Sequence, residues 1–221
     1  MADFKLETQD AIAWLKSQPD NYFDLIITDP AYESLEKHRK IGTTTRLQNW
    51  FPIFSNSNFS DLFTEIYRTL KNDSHFYLFC DQETMFVAKP LAEAAGFTFW
   101  KPLVWDKMSL GMGYHYRAKY EFILFFEKGK RKLNSLAVAD VLPVKKVYNG
   151  YPTEKPVTLL EILINQSSDI GQKVMDPFCG SGATGVAAIN LNRDFYGNDL
   201  LTKATTLSKS RLLAAGGIEK I

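Results

Sequence analysis

The sequence contains little that would cross-link or anchor it. Its 221 residues include only two cysteines and three histidines, which provide neither a disulfide framework nor a recognisable zinc-ligand pattern. No apolar run approaches the roughly 20 residues that cross a bilayer, and no signal-peptide pattern is visible at the start. We therefore expect no metal, no membrane insertion and no export, and the two cysteines fit a reducing cytoplasm.

Charge of one sign is also scarce, because the formal net charge is only +1. Overall charge therefore does not indicate a polyanionic partner. Two segments are nevertheless basic: residues 101–146 contain ten Lys or Arg against four Asp or Glu, and residues 37–60 contain four Lys or Arg and no acid. Two basic segments in a balanced chain predict one basic face, although ordinary solvated surface is the alternative.

The remaining composition is typical of one α/β domain that spans residues 1–221. Hydrophobic residues make up 45% and charged residues 23% of the chain, and a chain of this length can form a full core. Apolar periodicity and turn residues predict the elements. The predicted strands are residues 4–8, 23–27, 75–80, 97–105, 120–127, 173–176 and 194–197. The predicted helices are residues 11–16, 58–70, 83–95, 157–166, 186–191 and 202–214.

The motif Thr28-Asp29-Pro30-Ala31-Tyr32 directly follows the second predicted strand. Pro30 cannot continue a sheet ladder, so the strand ends there. A carboxylate, a proline carbonyl and an aromatic ring then lie together past the carboxyl end of a buried strand, where ligands bind in open α/β sheets. A plain strand-ending turn is the alternative, but a second Asp-Pro pair later in the chain favours a functional site.

That second pair opens the glycine loop Asp176-Pro177-Phe178-Cys179-Gly180-Ser181-Gly182-Ala183-Thr184-Gly185. The loop contains G-x-G-x-x-G between a predicted strand and helix, and Asp199 lies 19 residues after the first glycine. Glycines let the backbone approach a nucleotide closely, and the acid can accept hydrogen bonds from ribose hydroxyls. Taken alone, the pattern equally indicates a nicotinamide dinucleotide, or a tight turn that packs a helix on a sheet.

Three segments together resemble the DNA amino-methyltransferases. Residues 29–32 resemble the catalytic motif Asp-Pro-Pro-Tyr of that family, residues 176–182 resemble its S-adenosylmethionine loop, and residues 151–156 resemble the segment before that loop. The catalytic motif comes first, as in the permuted group called β. The resemblance implies a circularly permuted, Rossmann-like methyltransferase fold with a mostly parallel seven-stranded sheet and helices on both faces. Ala31 departs from the family's second proline.

The resemblance also implies which residues form the site. Asp29 and the Pro30 carbonyl would accept hydrogen bonds from the target amino group, and Tyr32 would stack on a base flipped from the duplex. S-adenosylmethionine would contact Asp10, Asp29, Lys155, Asp176, Phe178, Gly180, Ser181, Gly182, Thr184 and Asp199. Asp10 has an alternative role as the N-cap of the following helix, and both roles can hold together.

Double-stranded DNA is the implied substrate, and the aspartate version of the motif favours adenine N6 as the target. A recognition loop at about 33–58 and a short basic insertion at about 128–150 are the segments expected to bind DNA. The predicted DNA contacts are Lys37, Arg39, Lys40, Arg46, Arg117, Lys130, Arg131 and Lys132. We expect the basic residues within 37–46 and 128–146 to flank Asp29 on one face, and a homodimer and a cognate restriction nuclease are further expected partners.

Three alternatives remain open. The chain could methylate cytosine N4. It could instead methylate an amino or amide group on protein or RNA, although it lacks the Asn-Pro-Pro-Tyr motif of glutamine methyltransferases. It could also be a catalytically silent, DNA-binding subunit. Cofactor binding separates the silent subunit from the enzymes, and analysis of methylated nucleosides separates the enzymes from one another.

Overall fold

The structure is a computed structural model that describes residues 2–35, 52–111, 115–148, 151 and 153–220. Four of the predicted DNA contacts, Lys37, Arg39, Lys40 and Arg46, lie outside the described residues. Within the described ranges, no helix combines the length and the apolar character needed to span a membrane.

One mixed sheet contains the nine strands found in the described residues. They are β1 (Asp3–Thr8), β2 (Phe23–Thr28), β3 (Leu70–Cys80), β4 (Thr98–Asp106), β5 (Tyr120–Lys128), β6 (Val141–Pro143), β7 (Lys173–Asp176), β8 (Asp194–Asp199) and β9 (Ile218–Glu219). Their order across the sheet is β6-β4-β5-β3-β2-β7-β8-β1-β9. Strand β5 runs antiparallel to its neighbours β3 and β4, whereas the other pairs are parallel.

Helices cover both faces of this sheet. The described helices are α1 (Ala11–Ser17), α2 (Phe59–Thr69), α3 (Gln82–Ala94), α4 (Val157–Ser167), α5 (Ala183–Asn190) and α6 (Thr202–Ala214). Helices α1, α2 and α3 pack on one face, and α4, α5 and α6 pack on the other. Strand β2 is consequently buried at all six positions, which explains its continuous rather than alternating apolar pattern.

The predicted architecture, a mostly parallel sheet with helices on both faces, is confirmed, with two short edge strands in addition to the seven predicted. Each predicted strand has a counterpart whose ends lie within two residues of the prediction, except β3, which begins five residues earlier than predicted, at Leu70. Strands β6 and β9 contain only three and two residues, which is too short for periodicity to predict. Helix α5 begins at Ala183 rather than at the predicted residue 186, because Gly182 takes a φ of 77° and forms its N-cap.

Strand direction decides which residues meet at each end of the sheet. Strands β2, β7 and β8 are parallel neighbours, so the residues at their ends, Asp29, Asp176 and Asp199, lie at one edge, the carboxyl edge. Strand β5 runs the other way. It therefore begins with Tyr120 at the carboxyl edge and ends with Lys128 at the opposite, amino edge.

Candidate active site

Three carboxylates meet at the carboxyl edge because β2, β7 and β8 are adjacent in the sheet. Asp29 follows β2 directly, and Asp176 and Asp199 are the last residues of β7 and β8. All three line one cleft with a volume of about 290 Å³. This volume is near the lower end for small-molecule sites, and the carboxyl edge is where ligands bind in open α/β sheets.

The glycine loop that borders the cleft is tied to β8 and α6. Asp199 accepts a hydrogen bond from the backbone N–H of Gly180 at 3.0 Å, and Ser208 on α6 donates to the Gly180 carbonyl at 2.8 Å. A Cβ atom added to Gly182 would lie 2.8 Å from the Ser208 hydroxyl oxygen. Gly182 therefore faces α6 and permits the close approach of the loop, while Gly180 lines the cleft.

Asp176 organises the start of this loop. Its carboxylate accepts hydrogen bonds from the Thr28 hydroxyl at 2.9 Å, the Phe178 N–H at 3.0 Å and the Thr184 hydroxyl at 2.7 Å. Burial raises the pKa of Asp176 to about 7, while these donors act to lower it. The bonds connect β2, the loop and α5, so Asp176 holds the two predicted motifs against each other.

Asp29 lies in a buried network of alternating charges. Its Oδ2 atom pairs with the ammonium group of Lys155, which lies just before α4. Lys155 is also 3.4 Å from Glu121 Oε2, and Lys107 donates to Glu121 Oε1 at 2.6 Å. Burial raises the pKa of Asp29 and Lys155 lowers it, so Lys155 is the main group that keeps this carboxylate charged.

Tyr32 forms an inner wall of the cleft together with Phe54. The two residues form a parallel bridge, the Phe54 N–H donates to the Ala31 carbonyl at 2.7 Å, and the Phe54 ring meets the Phe178 ring edge to face at 5.0 Å. Tyr32 is only 7% exposed. A base stacked on this ring would therefore have to enter the cleft itself.

Asp10 lies where it can serve both as the N-cap of α1 and as a lining residue of the cleft. Its carboxylate caps α1 by accepting from the Ala13 N–H at 2.9 Å, and the residue also lines the cleft. Capping uses Asp10 Oδ1, so the cap and a ligand contact are compatible.

Most of the predicted site residues surround one cleft. The residues that line it include Asp10, Asp29, Pro30, Tyr32, Lys155, Asp176, Phe178, Gly180, Ser181, Thr184 and Asp199. Sequence reasoning missed Glu121, which also lines it. An acid within the apolar run 120–127 was the available signal, but only the direction of β5 brings it to the carboxyl edge.

The prediction that the basic segment 128–146 flanks Asp29 is wrong for its first part, which follows the end of β5. Lys130, Arg131 and Lys132 follow the end of β5, at the amino edge. Arg131 pairs there with Asp169 at 3.2 Å. Strand β5 separates this segment from the carboxyl edge by roughly 25–30 Å, given the rise per residue of a strand. The position of these three side chains therefore provides no support for a role in holding DNA at the cleft.

Other basic side chains lie at the carboxyl edge. Arg117 and Lys119 belong to the connection between β4 and β5, and Lys145 follows β6, which ends beside the end of β4. All three are exposed. Arg117, one of the predicted DNA contacts, therefore lies on the edge that carries Asp29.

The fold and the cleft define an α/β protein in which the glycine loop and the Asp-Pro motif face the same space. A family model described as DNA methylase, covering N6 and N4 enzymes, matches residues 23–210. The chain therefore belongs to the N6/N4 family of DNA methylases and is a DNA methyltransferase.

Three relatives are similar over most of the chain. YubD of Escherichia coli K12 is 30% identical, over 93% of this chain and 88% of the relative. The type II methyltransferase M.HpaI of Haemophilus parainfluenzae is 29% identical, over 95% of this chain and 74% of the relative. The DNA adenine methyltransferase YhdJ of Escherichia coli K12 is 26% identical, over 92% of this chain and 80% of the relative.

Solved structures share the fold. M1.HpyAVI in complex with SAM has a TM-score of 0.73 at 24% identity, covering 95% of this chain and all of its own. The cytosine-N4-specific PvuII DNA methyltransferase has a TM-score of 0.74 at 16% identity, covering 96% and 86%. These likenesses confirm the Rossmann-like methyltransferase fold and do not separate adenine from cytosine as the target.

Proposed function

We propose that this chain transfers a methyl group from S-adenosylmethionine to the N6 amino group of an adenine flipped out of double-stranded DNA. The observation that carries the proposal is the state of the Asp29 carboxylate. Lys155 pairs with Oδ2, while Oδ1 accepts no hydrogen bond from the described residues, and Asp29 lines the cleft. A charged acceptor is thus held beside the glycine loop.

Such an acceptor is what the chemistry requires. An exocyclic amino group is a poor nucleophile because its lone pair is delocalised into the ring. Two fixed acceptors on its two N–H bonds direct the lone pair away from the ring and stabilise the positive charge that develops on nitrogen. Asp29 Oδ1 and the Pro30 carbonyl fill these roles, and Tyr32 covers a face of the base.

The lining of the cleft fits S-adenosylmethionine, which when bound supplies a methyl group on a positively charged sulfur. Among the described residues, a Cβ atom added to Gly180 would meet only Tyr151, at 3.8 Å, so the loop backbone is open to close approach. Asp10 and Asp199 place carboxylate acceptors in the cleft, and Phe178 adds an apolar wall. This combination suits a nucleoside with hydroxyl donors and an apolar arm.

Adenine is the proposed base for two reasons. The motif at Asp29 is the aspartate version, which is commoner among adenine-N6 enzymes, and the relative YhdJ is named a DNA adenine methyltransferase. Cytosine N4 is the second candidate, since the PvuII enzyme is cytosine-N4-specific and shares the fold.

Nucleoside analysis tests the proposal directly. The wild-type protein is incubated with duplex DNA and S-adenosylmethionine labelled on its methyl group, and the DNA is digested to nucleosides. We expect the label in N6-methyladenine. Label in N4-methylcytosine would establish the second candidate. No label in any nucleoside, with intact cofactor binding by calorimetry, would contradict DNA methylation and favour the silent subunit.

The carboxyl edge is proposed to hold the DNA backbone. Replacing Arg117, Lys119 and Lys145 together by alanine is expected to weaken DNA binding about tenfold or more. The slope of the logarithm of the binding constant against the logarithm of the salt concentration should become shallower by about 2–3, because each removed cation leaves roughly one phosphate without its partner. Fluorescence anisotropy at several salt concentrations measures both quantities. The matched control, Lys130→Ala with Lys132→Ala at the amino edge, should bind as the wild type does. A larger loss in the control would reverse this assignment.

Further proposals follow from the family. The catalytic motif precedes the glycine loop in the chain, which supports placement in the permuted β group. The type II name of M.HpaI supports a cognate restriction nuclease. A single domain spanning residues 1–221, a cytoplasmic location and a homodimer stay predictions.

A further inference from the structure

Two acids and two lysines form a charge-balanced chain beside the cleft. In order, Asp29 pairs with Lys155, Lys155 lies 3.4 Å from Glu121, and Glu121 accepts from Lys107 at 2.6 Å. Three different parts of the fold provide these groups: Asp29 follows β2, Lys155 lies two residues before α4, and Lys107 and Glu121 lie just after β4 and in β5. The four side chains are between 8% and 24% exposed, so solvent screens their interactions only weakly.

Glu121 is placed to compete for Lys155. Its Oε2 atom is buried and makes no properly directed hydrogen bond to a described residue, although the Lys155 ammonium is 3.4 Å away. Lys155 sits closer to Asp29 and also contacts the Thr153 carbonyl at 3.4 Å. A single ammonium is thus shared between two carboxylates, and Lys107 satisfies the far oxygen of Glu121.

We propose that Glu121 and Lys107 are positioning residues, which determine how Lys155 is shared between the two carboxylates and thereby set the orientation of the Asp29 acceptor and how strongly Lys155 holds it. This inference rests on the proposed function, because it assigns a purpose to the acceptor on Asp29. Neither residue needs to touch the base or the cofactor. Glu121 weakens the pairing of Lys155 with Asp29 because it attracts the same ammonium group. Lys107 weakens this competition because it pairs with Glu121.

The sign of each effect follows from the charges that face Asp29. Burial raises the pKa of Asp29, Lys155 and Lys107 lower it, and Glu121 raises it. Asp29 also interacts with neighbouring groups that are neutral or held by their own hydrogen bonds: Tyr32, Cys80 and Asp176. Activity needs the charged carboxylate, so it declines as the pH falls through the pKa of Asp29. Removing Glu121 should lower that midpoint, and removing Lys107 should raise it.

Opposite shifts in paired variants test this inference. Glu121→Gln keeps the size of the side chain and removes its charge, and Lys107→Met does the same for the lysine. We expect the acid limb of single-turnover methyl transfer to move down by about one pH unit in Glu121→Gln and up by a similar amount in Lys107→Met, as expected for charges at such separations. The charge-neutral double variant should return close to the wild-type midpoint. Lys107→Gln is a second variant with the same expected direction.

A titration that requires neither DNA nor cofactor separates this inference from the proposed function. The carboxyl carbon signal of Asp29 is followed by NMR in each variant and assigned by its absence from Asp29→Asn. Its midpoint should shift in the same two directions. Lys101→Met, which removes an exposed lysine paired with Asp140 at 2.8 Å, is the matched control and should leave the midpoint unchanged.

If the Asp29 midpoints of Glu121→Gln and Lys107→Met shift in the same direction, or do not shift, the inference is overturned. Poorer packing alone would lower the rate of each variant without moving their midpoints in opposite directions. If the midpoints separate as expected but the wild type transfers no methyl group, the network is upheld and the proposed function is wrong.

Discussion

Replacing Asp29 by alanine is expected to lower single-turnover methyl transfer on the order of 10³-fold, as does the loss of one preorganised charge-stabilising group in other enzymes. The reason is geometric as well as electrostatic. Lys155 holds Oδ2 of Asp29 and the Asp29 side chain is only 24% exposed, so Oδ1 has a defined direction. Because the acceptor is needed most when charge develops on nitrogen, the loss should appear in the rate of the chemical step.

Cofactor affinity is the internal control for this variant. The glycine loop is held by hydrogen bonds of Asp176, Asp199 and Ser208, and Asp29 takes part in none of these bonds. We therefore expect binding of S-adenosylmethionine, measured by calorimetry, to change by less than about tenfold, equivalent to about 1.4 kcal/mol. A variant that keeps a tenth or more of the wild-type rate would remove Asp29 from the catalytic role.

Replacing Gly182 by alanine is expected to cost about 3 kcal/mol or more in the free energy of unfolding. Two penalties combine at this position. The backbone φ of 77° is left-handed, which disfavours a side chain by roughly 1–2 kcal/mol, and the added Cβ would lie 2.8–3.0 Å from three atoms of Ser208, including its Cα. Overpacking of this kind typically costs a further 1–3 kcal/mol. Urea denaturation measures the loss.

Gly171 provides a matched control, because its φ of 79° is nearly the same but no atom of a described residue lies within 4 Å of an added Cβ. Gly171→Ala should therefore show only the backbone penalty of about 1–2 kcal/mol. We further expect Gly182→Ala to weaken S-adenosylmethionine binding about tenfold or more, because the loop must move away from α6, whereas Gly171→Ala should bind normally. If Gly182→Ala and Gly171→Ala lower the free energy of unfolding and the cofactor affinity equally, the contact with Ser208 does not contribute to the penalty at Gly182.

Local sequence patterns were sufficient for most of the fold. Strand β7 and helix α6 have the predicted bounds, and the continuous apolar run of β2 correctly predicted a strand buried on both faces. These features depend on side-chain periodicity, which neighbouring residues determine. The short strands β6 and β9 exist only because β4 and β1 lie beside them, so no local pattern predicts them.

The sequence by itself also determined the two motifs that meet at the cleft, because each motif ends a parallel strand and such ends share one edge. Only the tertiary structure decided the direction of β5. Periodicity identifies a strand but carries no information on whether its neighbours run parallel or antiparallel to it. That direction brings Glu121 to Lys155 and takes Lys130, Arg131 and Lys132 to the amino edge. The antiparallel pairing of β5 with β3 and β4 therefore determined that Glu121 lies in the site and that residues 130–132 lie away from it. No property of β5 alone predicts either position.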